Sequence, residues 1–127
     1  MKTQDWIRIK STYDRKHNRN KYGNQKTEVD GVVFDSKKEA QRWSDLKYLE
    51  YGGYIHDVQR QVAFEMVPAY PPEFRKPMTY IADFTYRDQF DRLIVEDVKS
   101  DATKKNRAYR MKKHLMKHIY GIDIKEV

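Results

Sequence analysis

Residues 78–99 read Met78-Thr-Tyr-Ile-Ala-Asp83-Phe-Thr-Tyr-Arg87, then Asp88-Gln-Phe-Asp91, then Arg92-Leu-Ile-Val-Glu-Asp97-Val-Lys99. Two runs rich in β-branched and aromatic residues flank a short polar stretch, which is the pattern of a β-hairpin. Strands are expected over 78–87 and 92–99, with the turn at 88–91. A turn centred on Phe90 sets Asp83 opposite Asp97. Alternation then puts Asp97 and Lys99 on one side of their strand and Glu96 on the other, which otherwise reads as apolar. Directly opposed carboxylates have Cβ atoms roughly 5 Å apart and repel each other. Either one of them is protonated or a cation lies between them. A slip of one residue would send every side chain to the opposite side, so the arrangement hangs on that turn.

Upstream of the hairpin, residues 68–77 hold all four prolines and must be a loop. Residues 54–67 have period two, with Val62, Phe64 and Met66 on one side; Gln59 and Gln61 of the same strand could touch substrate. Before it, Ser36-Lys-Lys-Glu39 fits a capping box, followed by apolar Ala40, Trp43, Leu46 and Leu49, and Gly52-Gly53 ends the helix. Residues 27–34 form two short extended pieces around an Asp30-Gly31 turn. Downstream, a second helix is expected over 103–120, with Ala108, Met111, Leu115 and Ile119 as its core stripe and Gly121 as its stop. Residues 122–127 close the chain as a short strand. The order helix, three strands, helix, strand predicts a mixed α/β domain over 27–127, a small mixed β-sheet flanked by helices. Residues 1–26, with the run Arg15-Lys-His-Asn-Arg-Asn-Lys21, read as a basic and partly flexible N-terminal arm.

The chain has 127 residues, enough for one domain core and not two. It has no cysteine, which excludes disulfide scaffolds, cysteine-ligated zinc and thiol nucleophiles. No apolar run approaches the roughly 18 residues of a membrane span. The start, Met1-Lys-Thr-Gln-Asp-Trp-Ile-Arg-Ile-Lys10, lacks the apolar stretch of a signal peptide, so a cytoplasmic protein with no membrane partner is expected. The net charge of +7 favours a polyanionic partner, nucleic acid by default. Residues 1–26 hold eight basic and two acidic side chains, residues 27–98 nine and fourteen, and residues 99–127 nine and three. Carboxylates repel the phosphates that a simple DNA-binding module must approach. A metal-dependent nuclease has a use for them, since an acidic centre holds divalent cations while basic ends hold the substrate.

The second helix carries much of the basic charge. Lys104, Lys105, Arg107, Arg110, Lys112, Lys113 and Lys117 cover the faces left by its core stripe, with no acid between Ala102 and Ile122. Ordinary helix surfaces mix signs, so contact with a nucleic-acid backbone is expected of Lys104, Lys105, Arg107, Arg110, Lys113 and Lys117. Lys21, Lys37 and Lys38 are further candidates. His114 and His118 lie four apart but have no third ligand near them in sequence, which points to solvent or phosphate rather than zinc. Tyr22, Tyr109 and Tyr120 could stack on exposed bases or serve as core and rim.

Asp83, then Asp97-Val-Lys99 on the next strand, then a helix, resembles the core of the PD-(D/E)XK nuclease superfamily. Glu39, on the preceding helix, occupies the place of the Glu that often completes that site. The stretches Lys21-Tyr-Gly-Asn24, Glu28-Val-Asp-Gly31, Phe34-Asp-Ser-Lys-Lys-Glu-Ala40 and Tyr80-Ile-Ala-Asp-Phe84 look like a family of small phage and prophage endonucleases of the Holliday-junction-resolvase type. The likeness covers residues 21–127. Ala82 stands where the superfamily has its eponymous proline, and Asp97 stands in place of Glu. The resemblance implies a restriction-endonuclease-like core and a metal-dependent endodeoxyribonuclease acting on branched or recombination-intermediate DNA. It implies that Glu39, Asp83, Asp97 and Lys99 are catalytic. Asp83, Asp97, the carbonyl of Val98 and Glu39 would ligate Mg²⁺ or Mn²⁺, and Lys99 would position water or neutralise developing charge. It further implies DNA, branched or duplex, as partner, a homodimer for coordinated cutting of two strands, no organic cofactor, and the host cell cytoplasm if the chain is phage-encoded. The competing class is a non-catalytic nucleic-acid-binding protein on an eroded nuclease fold.

Overall fold

The computed structural model describes residues 26–127. The arm expected over 1–26 lies outside them apart from Lys26, as do Lys21 and Tyr22. A two-residue hairpin opens the described chain, joining β1 (Thr27–Val29) to β2 (Val32–Phe34). Asp30 (φ 51°) and Gly31 (φ 78°) are both left-handed, as the favoured two-residue turn requires. Helix α1 (Lys37–Tyr51) follows, with Ser36 Oγ accepting the Glu39 N–H at 3.1 Å. That half of the capping box forms as read; the Glu39 carboxylate itself turns toward Gln61.

Strands β3 (His56–Val67), β4 (Met78–Arg87) and β5 (Leu93–Asp97) form an antiparallel meander, and β6 (Lys125–Glu126) adds parallel to β5. The sheet order is β3-β4-β5-β6, so β4 and β5 are its central strands. Between β5 and β6 the single helix expected over 103–120 is instead two, α2 (Asp101–Lys104) and α3 (Arg107–Tyr120). The break has a local cause. Ser100 accepts the N–H of Thr103 to start α2, and Asn106 accepts the N–H of Tyr109 to start α3. Gly121, with φ 67°, ends α3 as expected. The closing strand is shorter than the residues 122–127 expected.

Two cores flank the sheet. One joins Ala40 and Leu46 of α1 to Phe34, Ile55, Phe84 and Tyr86, with Ile94 packed against them. The other joins Tyr109 and Met116 of α3 to Met66, Tyr80, Ala82, Val95 and Ile124. Neighbouring residues of β5, Ile94 and Val95, thus enter different cores, which puts α1 and α3 on opposite faces. The expected stripe of α3 is corrected here. Tyr109 and Met116, seven apart, are buried, whereas Ala108 is exposed, Met111 is 57% exposed and Ile119 40%; only Leu115 still packs against the core. The helix is rotated by about one residue, roughly 100°, which brings Tyr109 and Met116 against Tyr80, Ala82 and Val95 of the sheet.

The face of β5 opposite Asp97 carries Glu96, as alternation predicts. It is fully buried, its two oxygens bonded at 2.7 Å each by Nε and Nη2 of Arg42 from α1. Tyr86 Oη donates to the same carboxylate. A charge is tolerated there because a guanidinium and a hydroxyl replace three of the water contacts that burial removes, and the Lys125 ammonium stands 3.8 Å away.

Candidate active site

The β4–β5 ladder pairs Arg87 with Leu93, Tyr86 with Ile94, Thr85 with Val95 and Phe84 with Glu96. This is the register of a turn centred on Phe90, and the next step sets Asp83 beside Asp97. There the backbone ladder stops and the two side chains replace it. The Asp83 N–H donates to Asp97 Oδ1 at 3.3 Å, and the Val98 N–H donates to Asp83 Oδ2 at 2.9 Å. Each carboxylate is therefore held by the backbone of the opposite strand. Asp97 is 1% exposed, and Tyr80 Oη donates to its Oδ2. Burial, and after it the charge of Asp83, push the Asp97 carboxyl up to about 7, against the opposing pull of Lys99 and Tyr80. Burial and the adjacent Asp97 charge also push the Tyr80 phenol up, so it stays a proton donor. Lys99 Nζ lies 3.8 Å from Asp97 Oδ1 and 5.0 Å from the ring centre of Tyr109.

The third acid reaches the site through β3. Gln61 is 3% exposed and left-handed, φ 54°, and the β3–β4 ladder passes from Arg60–Phe84 to Val62–Ala82 without pairing Gln61 to Asp83. Its Nε2 donates instead to Glu39 Oε1 at 3.4 Å and to Asp83 Oδ1 at 3.5 Å. Residues an even number apart stay on one face of an unbroken strand. Here they do not: Val58 packs beneath α1 but Phe64 and Met66 beneath α3, and Phe84 and Tyr86 beneath α1 but Tyr80 and Ala82 beneath α3. Both strands cross between faces at the level of Gln61 and Asp83. That crossing is what lets a residue from α1, Glu39, and a residue packed toward α3, Asp97, meet the same aspartate.

Asp83, Asp97 and Lys99 thus come together as the sequence predicts, and Glu39 joins them through Gln61. Val98 donates its N–H to Asp83, and its side chain packs against the α1 core. Among the described residues no three His, Cys, Asp or Glu side chains converge as a metal cage. Mg²⁺ does not require one: it is commonly bound through one or two carboxylates, with water and substrate phosphates completing its shell. Two opposed hard-oxygen donors, one with its proton affinity raised by the other, fit such an ion. Sequence reasoning gave Gln61 no more than a contact with substrate and gave Tyr80 no role. A left-handed glutamine inside a strand carries no sequence signal, whereas a tyrosine three residues before Asp83 is hidden among ordinary strand aromatics.

A family model described as a protein of unknown function, DUF1064, matches residues 19–126. The chain belongs to the DUF1064 family. No curated protein and no solved structure matches it. The family match contains Glu39, Gln61, Asp83, Asp97 and Lys99, and so the whole of the site.

The basic side chains of this DUF1064 domain divide into paired and unpaired. Lys38 Nζ donates to the Lys99 carbonyl at 3.0 Å, tying α1 to the end of β5, while Lys37 is exposed beside it. Lys113 pairs with Glu126 at 2.6 Å, Lys117 with Asp123 at 2.8 Å, and Lys104 stands 3.9 Å from Asp101. The helix face that lacks acids in sequence therefore borrows them from the segment that follows it. Lys105, Arg107 and Arg110 are exposed, and with Met111 and His114 they line an open cavity of about 570 Å³. Arg110 and His114 also border a second, of about 340 Å³, shared with Lys104, Lys113 and Lys117. Tyr109 is core, and Tyr120 Oη donates to the Glu65 carbonyl. Among the described residues no helix is long and apolar enough to cross a membrane.

Proposed function

We propose that this chain is a metal-dependent endodeoxyribonuclease that hydrolyses phosphodiester bonds at Asp83, Asp97 and Lys99, with branched or recombination-intermediate DNA as its substrate. The observation that carries the reading is the opposed pair: Asp83 and Asp97, each held by the other strand's backbone, with Lys99 alongside. A mixed sheet with a helix on each face and the acids on its central strands supports the restriction-endonuclease-like core that the resemblance implies. The branched substrate rests on the resemblance alone.

Asp83 and Asp97 would hold Mg²⁺ or Mn²⁺, which when bound supplies a Lewis acid to the phosphodiester and a lowered pKa to water. Lys99 brings an ammonium to the rim of the pair, where it offsets the charge that grows on the phosphate oxygens as water attacks phosphorus and the P–O bond breaks. Glu39, steadied by Gln61, would orient the attacking water or take its proton. One chain carries one such site, so coordinated cutting of two strands calls for two copies. A DNA-binding protein without activity gains nothing from buried, opposed carboxylates that repel phosphate.

The test is cleavage of matched four-way-junction, duplex and single-stranded DNA in Mg²⁺, in Mn²⁺ and in chelator, beside Asp97→Ala. Metal-dependent cutting by the parent protein and none by the variant is expected. Tight DNA binding with no cutting under either metal would replace this reading with the eroded-fold binder.

A further inference from the structure

Arg60 lies one step along β3 from Gln61 and pairs with Phe84, the residue after Asp83. It is only partly exposed, and its guanidinium carbon sits 4.9 Å from the ring centre of Phe34, which anchors the group there. Three carboxylates act on it: Glu39 most strongly, then Asp35 and Asp83. Burial weakens its hold on the proton more than those acids strengthen it, so this is a desolvated cation at the edge of the acidic site. Its Nε is buried and makes no hydrogen bond to any described residue.

Charge balance for the acids is the plain explanation of such an arginine. It accounts for the charge but not for the geometry, because an arginine placed for balance would end its buried donors on carboxylate oxygens. The Nε is closed off beside Phe34, whereas the terminal donors of this partly exposed side chain form no hydrogen bond with a described residue and are left for a ligand acceptor. The ligand that matches a planar fork of donors, and that a cation held by Asp83 and Asp97 would draw in, is a phosphate. We propose that Arg60 is a phosphate-binding residue of this site, taking a backbone phosphate of the DNA from the β3 side while Asp83, Asp97 and Lys99 face the scissile one. This inference rests on the nuclease reading and adds a specific contact to it.

The experiment uses the full chain with four-way-junction and duplex oligonucleotides, comparing the parent, Arg60→Gln and Arg60→Lys. Affinity is measured in chelator across a salt series, and single-turnover cutting is measured in Mg²⁺. Loss of one phosphate contact should make the slope of log K against log salt shallower by about 0.9 in Arg60→Gln. Arg60→Lys should recover the slope, because the charge remains, while still binding several-fold more weakly than the parent because the fork is gone. A purely structural arginine would lower the melting temperature of Arg60→Gln without moving the slope, and that result overturns the proposal. Should Arg60→Gln fail to fold, an Arg60→Lys protein with parental affinity and cutting rate overturns it equally. A parent that binds DNA with the full slope but never cuts refutes the nuclease reading while leaving the Arg60 contact measured on its own.

Discussion

At the scale of single residues, the decisive group is Asp97, because the proposed function and stability pull on it in opposite directions. Its folded-state carboxyl is pushed up to about 7 by burial and by Asp83, against about 4 in an unfolded chain. Between those values the folded protein binds more protons than the unfolded one, so raising the pH through that window weakens the fold. Below it both states are protonated and Asp97 contributes nothing; above it the full penalty is present. Asp97→Asn removes the titrating group. The variant is expected to melt higher than the parent at pH 8, with the difference shrinking to nothing near pH 4, while cutting is abolished. A cation bound between the acids offsets the same repulsion, so Mg²⁺ at pH 8 should raise the melting temperature of the parent and not of Asp97→Asn. Thermal denaturation across pH, with and without Mg²⁺, reads both effects. An Asn variant less stable than the parent at every pH would contradict the assignment.

At the scale of elements, local chemistry was legible and long-range chemistry was not. The cap at Ser36, the Asp30-Gly31 turn, the proline loop and the hairpin centred near Phe90 all follow from short stretches whose backbone demands are written in their own residues. Even the opposition of Asp83 and Asp97 needed only a turn centre and a period of two. What stayed hidden depends on distant partners. Arg42 and Glu96 are 54 positions apart, and nothing near Glu96 announces that a guanidinium will meet it. Nor does the sequence announce the left-handed Gln61 that carries β3 and β4 between faces. Two outcomes follow from these elements. Arg42→Met leaves the buried Glu96 charge with only the Tyr86 hydroxyl and the Lys125 ammonium 3.8 Å away, so it should cost about 3 kcal/mol of stability in urea denaturation, and more than the double change of Arg42 and Glu96 to apolar residues. At position 61, Gly accepts the left-handed backbone while Ala pays about 1–2 kcal/mol for it. Gln61→Gly should therefore be the more stable of the two, yet both lose the amide that joins Glu39 to Asp83, and cutting should fall about 10–100-fold in either. Equal stability of the two variants would mean that the backbone at 61 is not left-handed.

At the scale of the whole molecule, charge that looks uniform in sequence is sorted by the fold. Nine basic and three acidic side chains occupy residues 99–127, and read linearly every lysine of α3 is an equal candidate for DNA. The rotated helix and the returning β6 strand separate them. Lys113 and Lys117 meet Glu126 and Asp123, and the Lys113 bond, outweighing the upward push of burial, holds the Glu126 carboxyl below its usual range. Arg107 and Arg110 are exposed and form no ion pair with a described residue. A cation already neutralised by its own protein has few counterions to displace from DNA, so the two pairs should differ in what they contribute to the salt dependence of binding. Replacing Arg107 and Arg110 together by Ala should make the slope of log K against log salt shallower by about 1.8, two phosphate contacts' worth. Replacing Lys113 and Lys117 together should change it by less than half as much, because Glu126 and Asp123 are released as the lysines go. The measurement is a salt titration of duplex binding in chelator, where no cutting intervenes. Equal losses from the two pairs would show that DNA strips the lysines from their acids on binding, and would extend the proposed nucleic-acid surface around α3 to the β6 side.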